Sequence, residues 1–157
     1  MCGIAGVVSR SPVPSSTVDA MLRRQAHRGP DGTGRIGFSG PTADPSREPV
    51  DAPVQLGHLR LAILDLSPAG AQPMASEDRR WWIVYNGEIC NYLELREELR
   101  GLGHLFHTGT DTEVVLAAWT QWGEACLPRF QGMFAFALLD RRERRLHLAR
   151  DFAGFEK

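Results

Sequence analysis

Apolar residues occur along the chain in short runs that predict strands separated by helices. The runs at residues 3–8, 54–64 and 80–85 are rich in β-branched or aromatic side chains, which is typical of buried strands. Residues 133–140 and 145–149 flank a charged turn and predict a β-hairpin. Because helical segments separate these strands, the pattern indicates an α+β domain built in layers.

Three helices are predicted where apolar residues recur at helical spacing. The first begins at Ser15 or Ser16, because serine caps free backbone N–H groups, and it ends before His27. The predicted apolar faces are Val18, Met21 and Leu22, then Tyr92, Leu95, Leu99 and Leu102, and finally Val115, Ala118, Trp119 and Trp122. Residues 40–53 contain four of the ten prolines and predict an exposed loop.

Composition narrows the classes of partner. The chain has 157 residues, of which 43% are hydrophobic and 24% charged, and its net charge is −1. We expect one globular domain over residues 1–157, with no nucleic-acid partner and no membrane span, since no apolar run approaches roughly 20 residues. Cys2, Cys90 and Cys126 lack the spacing of a disulfide framework, and the start lacks a secretory signal pattern. Free thiols and a cytoplasmic location are therefore expected.

The most informative chemical feature is the cysteine at position two. After removal of Met1, Cys2 would carry a thiol and a free α-amino group a few bonds apart. A thiolate is a strong nucleophile, and an α-amino group that titrates near roughly pH 8 can accept its proton. Two alternatives stay open at this point: a small buried residue that begins a strand, and a Cys–His pair with His27 or His58.

The Asn86-Gly87 pair at the end of an apolar run has two interpretations. Asn-Gly is common in turns, which requires no role in chemistry. Alternatively, the Asn86 amide and the Gly87 N–H point at one substrate oxygen and form an oxyanion hole. Glycine suits that purpose because its missing side chain lets a substrate approach the backbone.

Two charged residues suit an amino-acid substrate. Arg60 interrupts an apolar strand, where a guanidinium needs a partner, and its planar fork matches an α-carboxylate. Asp111 lies at a predicted helix start. There it either stabilises the helix N-terminus without any ligand or receives an α-ammonium group.

Four other reactive residues carry weaker signals. His104 and His107 have HxxH spacing, but no further ligand lies nearby in the sequence, so we expect no metal site. Cys90 and Cys126 lie in apolar contexts next to predicted helices. We interpret both as inert packing residues.

Eight segments, spread in order over the chain, match one family. They are MCGIAG at 1–6, HRGPDG at 27–32, GHLRLAILD at 57–65, GAQPM at 70–74, YNGEICN at 85–91, TGTD at 108–111, QGMFAFA at 131–137 and RD at 150–151. In this combination the chain resembles the class II glutamine amidotransferase domain. It is most similar to the N-terminal glutaminase domain of asparagine synthetases, because HRGPD and NGEI differ from the hexosamine-forming branch.

The resemblance implies a fold and a reaction. The fold would be a four-layer αββα N-terminal-nucleophile hydrolase sandwich, with two stacked sheets between helical layers. Cys2 would hydrolyse L-glutamine to glutamate and ammonia through a thioester, with its own α-amino group moving the proton. Asn86 and Gly87 would stabilise the tetrahedral oxyanion.

The resemblance also implies how glutamine is bound. Arg60 would bind the α-carboxylate, and Asp111 and Glu88 would lie on the α-ammonium side. Asn86 and Gly87 would also contact the substrate. The site would further be lined by the backbone of Leu61, Ala62, Ile63 and Leu64.

The chain departs from the family pattern at two places. Cys90 stands where the family usually has tyrosine. After Arg150-Asp151 the family continues into further strands and an ATP-using synthetase domain, whereas residues 152–157 leave that pattern. We therefore expect a sandwich that is incomplete at its C-terminus, with no cofactor of its own and with ATP and Mg²⁺ used only by the missing domain.

Several partners and functions follow from that expectation. Ammonia would pass to a synthetase domain or subunit, and a homodimer is a further partner to consider. One alternative is a catalytically silent fragment or partner-dependent module. Another is an amidotransferase that feeds an acceptor other than aspartate.

Overall fold

Seven strands and three α-helices make up the computed structural model, which describes residues 1–40 and 43–155. The strands are β1 (Gly3–Val13), β2 (Gly32–Phe38), β3 (Ala52–Arg60), β4 (Met74–Ala75), β5 (Trp81–Ile89), β6 (Gly132–Asp140) and β7 (Arg145–Arg150). The α-helices are α1 (Ser15–Arg24), α2 (Tyr92–Gly101) and α3 (Asp111–Trp122). Short 3-10 helices span Ala26–Arg28, Pro68–Gly70 and Gly123–Arg129.

The strands form two antiparallel sheets. In the first sheet, β3 lies between β1 and β2, with Gly3 opposite Leu59. The second sheet has the order β4–β5–β6–β7. The predicted hairpin is confirmed, because β6 and β7 pair with Asp140 opposite Arg145.

Apolar clusters divide the domain into four layers. Helix α1 packs on the first sheet through Val18 and Leu22, which lie against Leu59. The cluster between the two sheets consists of Ile36, Phe38, Leu56, Trp82, Val84, Ala137 and Leu139. Helices α2 and α3 cover the outer face of the second sheet with a larger cluster. The layer order is therefore αββα, as expected.

Strand β5 is covered on both faces, which explains the continuous apolar run in its sequence. Trp82 and Val84 contribute to the cluster between the sheets, whereas Ile83 and Tyr85 contribute to the cluster under the helices. Successive side chains of a strand point to opposite faces, and both faces are covered here. An alternating pattern is therefore absent from this strand.

Several predicted strand limits are wrong. β3 ends at Arg60 rather than at residue 64, and the chain leaves the sheet there. β5 does not end at Tyr85 but continues to Ile89. Strand β2 was not predicted, because its three glycines weaken the strand pattern.

The predicted serine cap of α1 is also wrong. Pro14 occupies the N-cap position without a side-chain cap bond, and the Ser15 N–H donates instead to the Asp51 carboxylate at 2.9 Å. A remote carboxylate therefore satisfies this helix start. Met21 and Leu102, assigned to apolar helix faces, are 40% and 52% exposed.

The predicted loop at 40–53 joins β2 to β3. Residues 41–42 lie outside the described part of the chain, as do residues 156–157. Within the described part, Ser46 pairs with Gly37 through two backbone hydrogen bonds. The loop ends at Ala52, which is fully buried as the first residue of β3.

Candidate active site

A cavity of about 120 Å³ lies at the end of the sandwich where β1 begins and where β3 and β5 end. Nine of the ten sequence-predicted site residues line this cavity. They are Cys2, Arg60, Leu61, Ala62, Ile63, Leu64, Gly87, Glu88 and Asp111. The structure thus brings together residues from four separate segments of the chain.

The half-buried Cys2 thiol contacts the backbone just beyond β3. The Leu61 N–H donates to Cys2 Sγ at 3.3 Å, and Sγ lies 3.6 Å from the Leu61 carbonyl oxygen. Burial raises the pKa of the Cys2 thiol, while the Leu61 bond and the positive charges of the N-terminus and Arg60 oppose that shift. Met1 lines the same cavity.

Two residues of the HRGPDG segment, to which the sequence analysis assigned no role, hold the chain around Cys2. Arg28 Nε donates to the Cys2 carbonyl oxygen at 2.9 Å. The Asp31 carboxylate accepts from the Ala62 N–H at 2.8 Å, and the Asp31 N–H donates to the Arg60 carbonyl oxygen at 2.9 Å. These bonds fix the loop that follows β3 relative to Cys2.

The Arg60 guanidinium is anchored by backbone carbonyl groups. Nη1 donates to the Ser67 oxygen at 2.7 Å, and Nη2 donates to the Asp65 oxygen. Because Arg60 is the last residue of β3, its charge lies at the end of the strand, at the cavity, rather than inside the apolar strand. Gly70 packs against it so closely that an added Cβ would lie 2.4 Å from Nη2.

The Asn86-Gly87 pair is not a turn. Both residues lie inside β5, opposite Ala135 and Phe134 of β6. Strand alternation places Asn86 on the face towards the first sheet, and its side chain is 2% exposed. Asn86 is the one predicted site residue that is not among the residues lining the cavity, whereas Gly87 is.

Asp111 is the first residue of α3 and is buried at the cavity. Its Oδ2 atom accepts from the Tyr85 hydroxyl at 2.6 Å and from the Ile89 N–H at 3.0 Å. Burial raises the pKa of the Asp111 carboxyl, and these two hydrogen bonds act in the opposite direction. Thr110, rather than Asp111, caps the helix by accepting from the Glu113 N–H at 3.3 Å.

Among the buried residues that line the cavity, Gln72 and Tyr85 carried no predicted role, and His58 was considered only as a partner of the Cys2 thiol. Their partners lie far away in the sequence, so no local pattern marks them. His58 Nε2 lies 3.2 Å from the Tyr85 carbonyl oxygen, and burial lowers the pKa of His58 to about 4. In the described part of the chain, the hydrogen bonds of Cys2 Sγ go to Leu61 and not to a histidine.

The remaining reactive residues lie outside this cavity. His104 Nε2 bonds Gln121 Oε1 at 2.9 Å, and no group of metal-ligating side chains occurs among the described residues. Cys126 is buried, and burial raises the pKa of its thiol to about 12. Cys90 is exposed, so the interpretation of Cys90 as a packing residue is wrong. No described helix is long and apolar enough to cross a bilayer.

The layer order and the position of Cys2 define the class of protein. Two stacked sheets between helical layers, with Cys2 directly before the first strand, are the arrangement of an N-terminal-nucleophile hydrolase fold. The structure is similar to glutamine phosphoribosylpyrophosphate amidotransferase from B. subtilis, with a TM-score of 0.79 and 20% identity. That likeness covers 96% of this chain and 37% of the other.

The sequence comparisons narrow the class to a family. A family model described as glutamine amidotransferase domain matches residues 1–156, and the chain belongs to this family. It is 37% identical to glutamine-hydrolyzing asparagine synthetase 1 of Bacillus subtilis (strain 168), over 99% of this chain and 23% of that protein. It is 38% identical to glutamine-hydrolyzing asparagine synthetase 3 of Arabidopsis thaliana, over 98% and 24%. The chain thus spans about a quarter of the length of these curated relatives.

Proposed function

We propose that this chain hydrolyses L-glutamine to glutamate and ammonia and supplies the ammonia to an asparagine synthetase domain or subunit. One observation carries the proposal. The Cys2 sulfur faces a cavity that also contains a guanidinium and a buried carboxylate, on Arg60 and Asp111. A nucleophile with one anion-binding and one cation-binding group suits an α-amino acid that carries a reactive amide.

Glutamine would be held at its α-carbon by opposite charges. Arg60 binds the α-carboxylate through the guanidinium N–H groups that do not donate to Asp65 or Ser67. Asp111 receives the α-ammonium group, and the exposed Glu88 lies on the same side. The backbone of residues 61–64 lines the remaining part of the cavity.

The reaction would proceed through a thioester. The Cys2 sulfur bonds to the side-chain carbonyl carbon of glutamine, and the thiol proton moves to the α-amino group that removal of Met1 exposes. The oxyanion would be bound by the Gly87 N–H, which lines the cavity, and by the amide of the adjacent Asn86, which is buried beside it. The carbon–nitrogen bond then breaks, ammonia leaves with that proton, and water hydrolyses the thioester to release glutamate.

The partner would be a synthetase domain or subunit, in which ATP and Mg²⁺ activate aspartate. The glutaminase step itself requires neither, because attack, proton transfer and oxyanion binding all use this chain's own groups. The names of the curated relatives support aspartate as the acceptor. A cytoplasmic location and a homodimer stay predictions.

Ammonia release from L-glutamine tests the proposal. The purified chain should release ammonia, and Cys2→Ala should abolish release while L-glutamine binding persists. Cys90→Ala is the matched control, because Cys90 is exposed and lies outside the cavity, and it should keep wild-type turnover. Unchanged turnover in Cys2→Ala would contradict the mechanism.

A further inference from the structure

Tyr85 and Asp111 meet in the buried part of the cavity. The Tyr85 hydroxyl donates to Asp111 Oδ2 at 2.6 Å, and the two residues are 2% and 5% exposed. Both line the cavity next to Cys2. Water scarcely reaches this carboxylate. A hydroxyl at hydrogen-bond distance therefore controls both the orientation and the charge of the carboxylate.

Gln72 fixes this pair from behind. Its side-chain oxygen accepts from the Tyr85 N–H at 2.6 Å, and its side-chain nitrogen donates to Thr112 Oγ1 at 3.2 Å. One buried amide therefore joins β5 to the first turn of α3. This link sets the distance between the strand that carries Tyr85 and the helix that carries Asp111.

We propose that Tyr85 is a positioning residue for substrate recognition: its hydroxyl holds the Asp111 carboxylate in the orientation that receives the α-ammonium group of the substrate. The inference rests on the proposed function and deepens it by assigning the ammonium specificity to a pair of residues. Asp111 alone is insufficient, because burial favours its protonated form, which cannot form an ion pair.

The electrostatics of the pair agree with this assignment. Burial and the neighbouring Asp111 charge raise the pKa of the Tyr85 hydroxyl, so Tyr85 stays a hydrogen-bond donor. The same hydrogen bond lowers the pKa of Asp111 and opposes the effect of its burial. The Ile89 N–H is the second donor to Oδ2, so loss of the hydroxyl leaves the carboxylate with fewer partners.

A purely structural role for Tyr85 makes a different prediction. If the ring only fills the core, Tyr85→Phe changes the recognition of every ligand alike or of none. If the hydroxyl acts through Asp111, the loss falls on ligands that carry an α-ammonium group. A glutamine analogue without that group, 4-carbamoylbutanoate, separates the two roles.

The experiment measures ligand affinity by calorimetry in a Cys2→Ala background, which prevents turnover. Tyr85→Phe should weaken L-glutamine binding about tenfold, as expected for a lost hydrogen bond to a charged group, and should leave 4-carbamoylbutanoate binding unchanged. In a chain that already carries Asp111→Asn, Tyr85→Phe should cause no further loss of L-glutamine affinity. Tyr92→Phe removes the same atom from the other tyrosine, outside the cavity, and should have no effect.

Three outcomes would overturn the assignment: equal losses for both ligands, wild-type L-glutamine affinity in Tyr85→Phe, or absence of L-glutamine binding in the Cys2→Ala parent. The proposed function is tested separately, by ammonia release from the chain with Cys2 intact. If the chain binds L-glutamine with the predicted dependence on Tyr85 but releases no ammonia, the glutaminase proposal fails and the positioning role stands.

Discussion

The Cys2 sulfur lies 3.3 Å from the backbone nitrogen of Leu61, the residue that directly follows β3. This contact joins the start of β1 to the end of its neighbouring strand: Cys2 directly precedes Gly3, and Leu61 lies two residues after Leu59, the partner of Gly3. The N–H group points at the sulfur and favours its thiolate form, against the effect of burial on the thiol pKa. The thiol of Cys2, the proposed nucleophile, is thus positioned by the sheet itself.

Loss of the Asn86 amide should slow turnover. We expect Asn86→Ala to lower kcat by roughly 10²–10³, the usual cost of removing one oxyanion donor. The KM for L-glutamine should change much less, because the oxyanion forms only after attack. Steady-state ammonia release measures both constants, and a KM effect with unchanged kcat would contradict the assigned role.

Gly70→Ala should weaken substrate binding. The new Cβ would lie 2.4 Å from Arg60 Nη2 and 2.9 Å from Thr110 Cγ2. The Arg60 guanidinium must therefore move away from its bonds to the Ser67 and Asp65 carbonyl groups. Displacement of the guanidinium should raise the KM for L-glutamine about tenfold, the size of a lost hydrogen bond to a charged group. Thermal unfolding and kinetics on the same preparation separate this effect from a loss of stability. A wild-type KM would show that this guanidinium does not bind substrate.

Gly87→Ala should destabilise the domain. Its Cβ would lie 2.4 Å from the Met133 carbonyl oxygen and 2.6 Å from Phe134 Cα, so the β6 backbone must shift. Overpacking of this kind costs about 1–3 kcal/mol. Gly101→Ala is the control, since no heavy atom lies within 4 Å of its added Cβ. Urea unfolding should show the loss only for Gly87→Ala.

His58 should make the domain less stable in mild acid. Burial lowers its pKa to about 4 in the folded state, whereas the unfolded chain titrates near roughly 6.5. Between these values the unfolded state binds more protons, so this contribution is complete above pH 6.5 and is lost as the pH falls towards 4. The total is roughly 3 kcal/mol from the difference in pKa.

Urea unfolding at several pH values checks this contribution. Wild type should lose more stability between pH 6.5 and pH 4 than His58→Gln does. His27→Gln, a change of an exposed histidine, should follow the wild-type curve. Parallel curves for wild type and His58→Gln would contradict the assignment.

Most elements of the fold were predictable, because their signals are local. β6 and β7 flank a charged turn, and the apolar spacing of α2 and α3 repeats with a helical period. The errors arise where contacts between residues distant in the sequence determine the local structure. Asp51 replaces the expected serine cap of α1, and β6 keeps Asn86-Gly87 in a strand although the pair itself favours a turn.

The candidate site was predictable only in part. Arg60 is conspicuous because a charge in an apolar strand needs a reason, whereas Asp111 lies at a helix start that explains a carboxylate without any ligand. Tyr85 and His58 gave no such signal, because an aromatic residue and a lone histidine are ordinary members of a strand. Their roles come from the Asp111 carboxylate, 26 residues from Tyr85, and from the Tyr85 carbonyl oxygen, 27 residues from His58.

The most direct test of the central claim is covalent labelling with a diazoketone analogue of L-glutamine, followed by intact-mass measurement and peptide mapping. The account predicts one adduct per chain, on Cys2 of a chain that has lost Met1, and protection by excess L-glutamine. Cys90 is the critical internal control, because it is exposed while Cys126 is buried. Labelling of Cys90 instead of Cys2, or labelling of Cys2 without protection by L-glutamine, would contradict the claim that Cys2 is the nucleophile of a glutamine site.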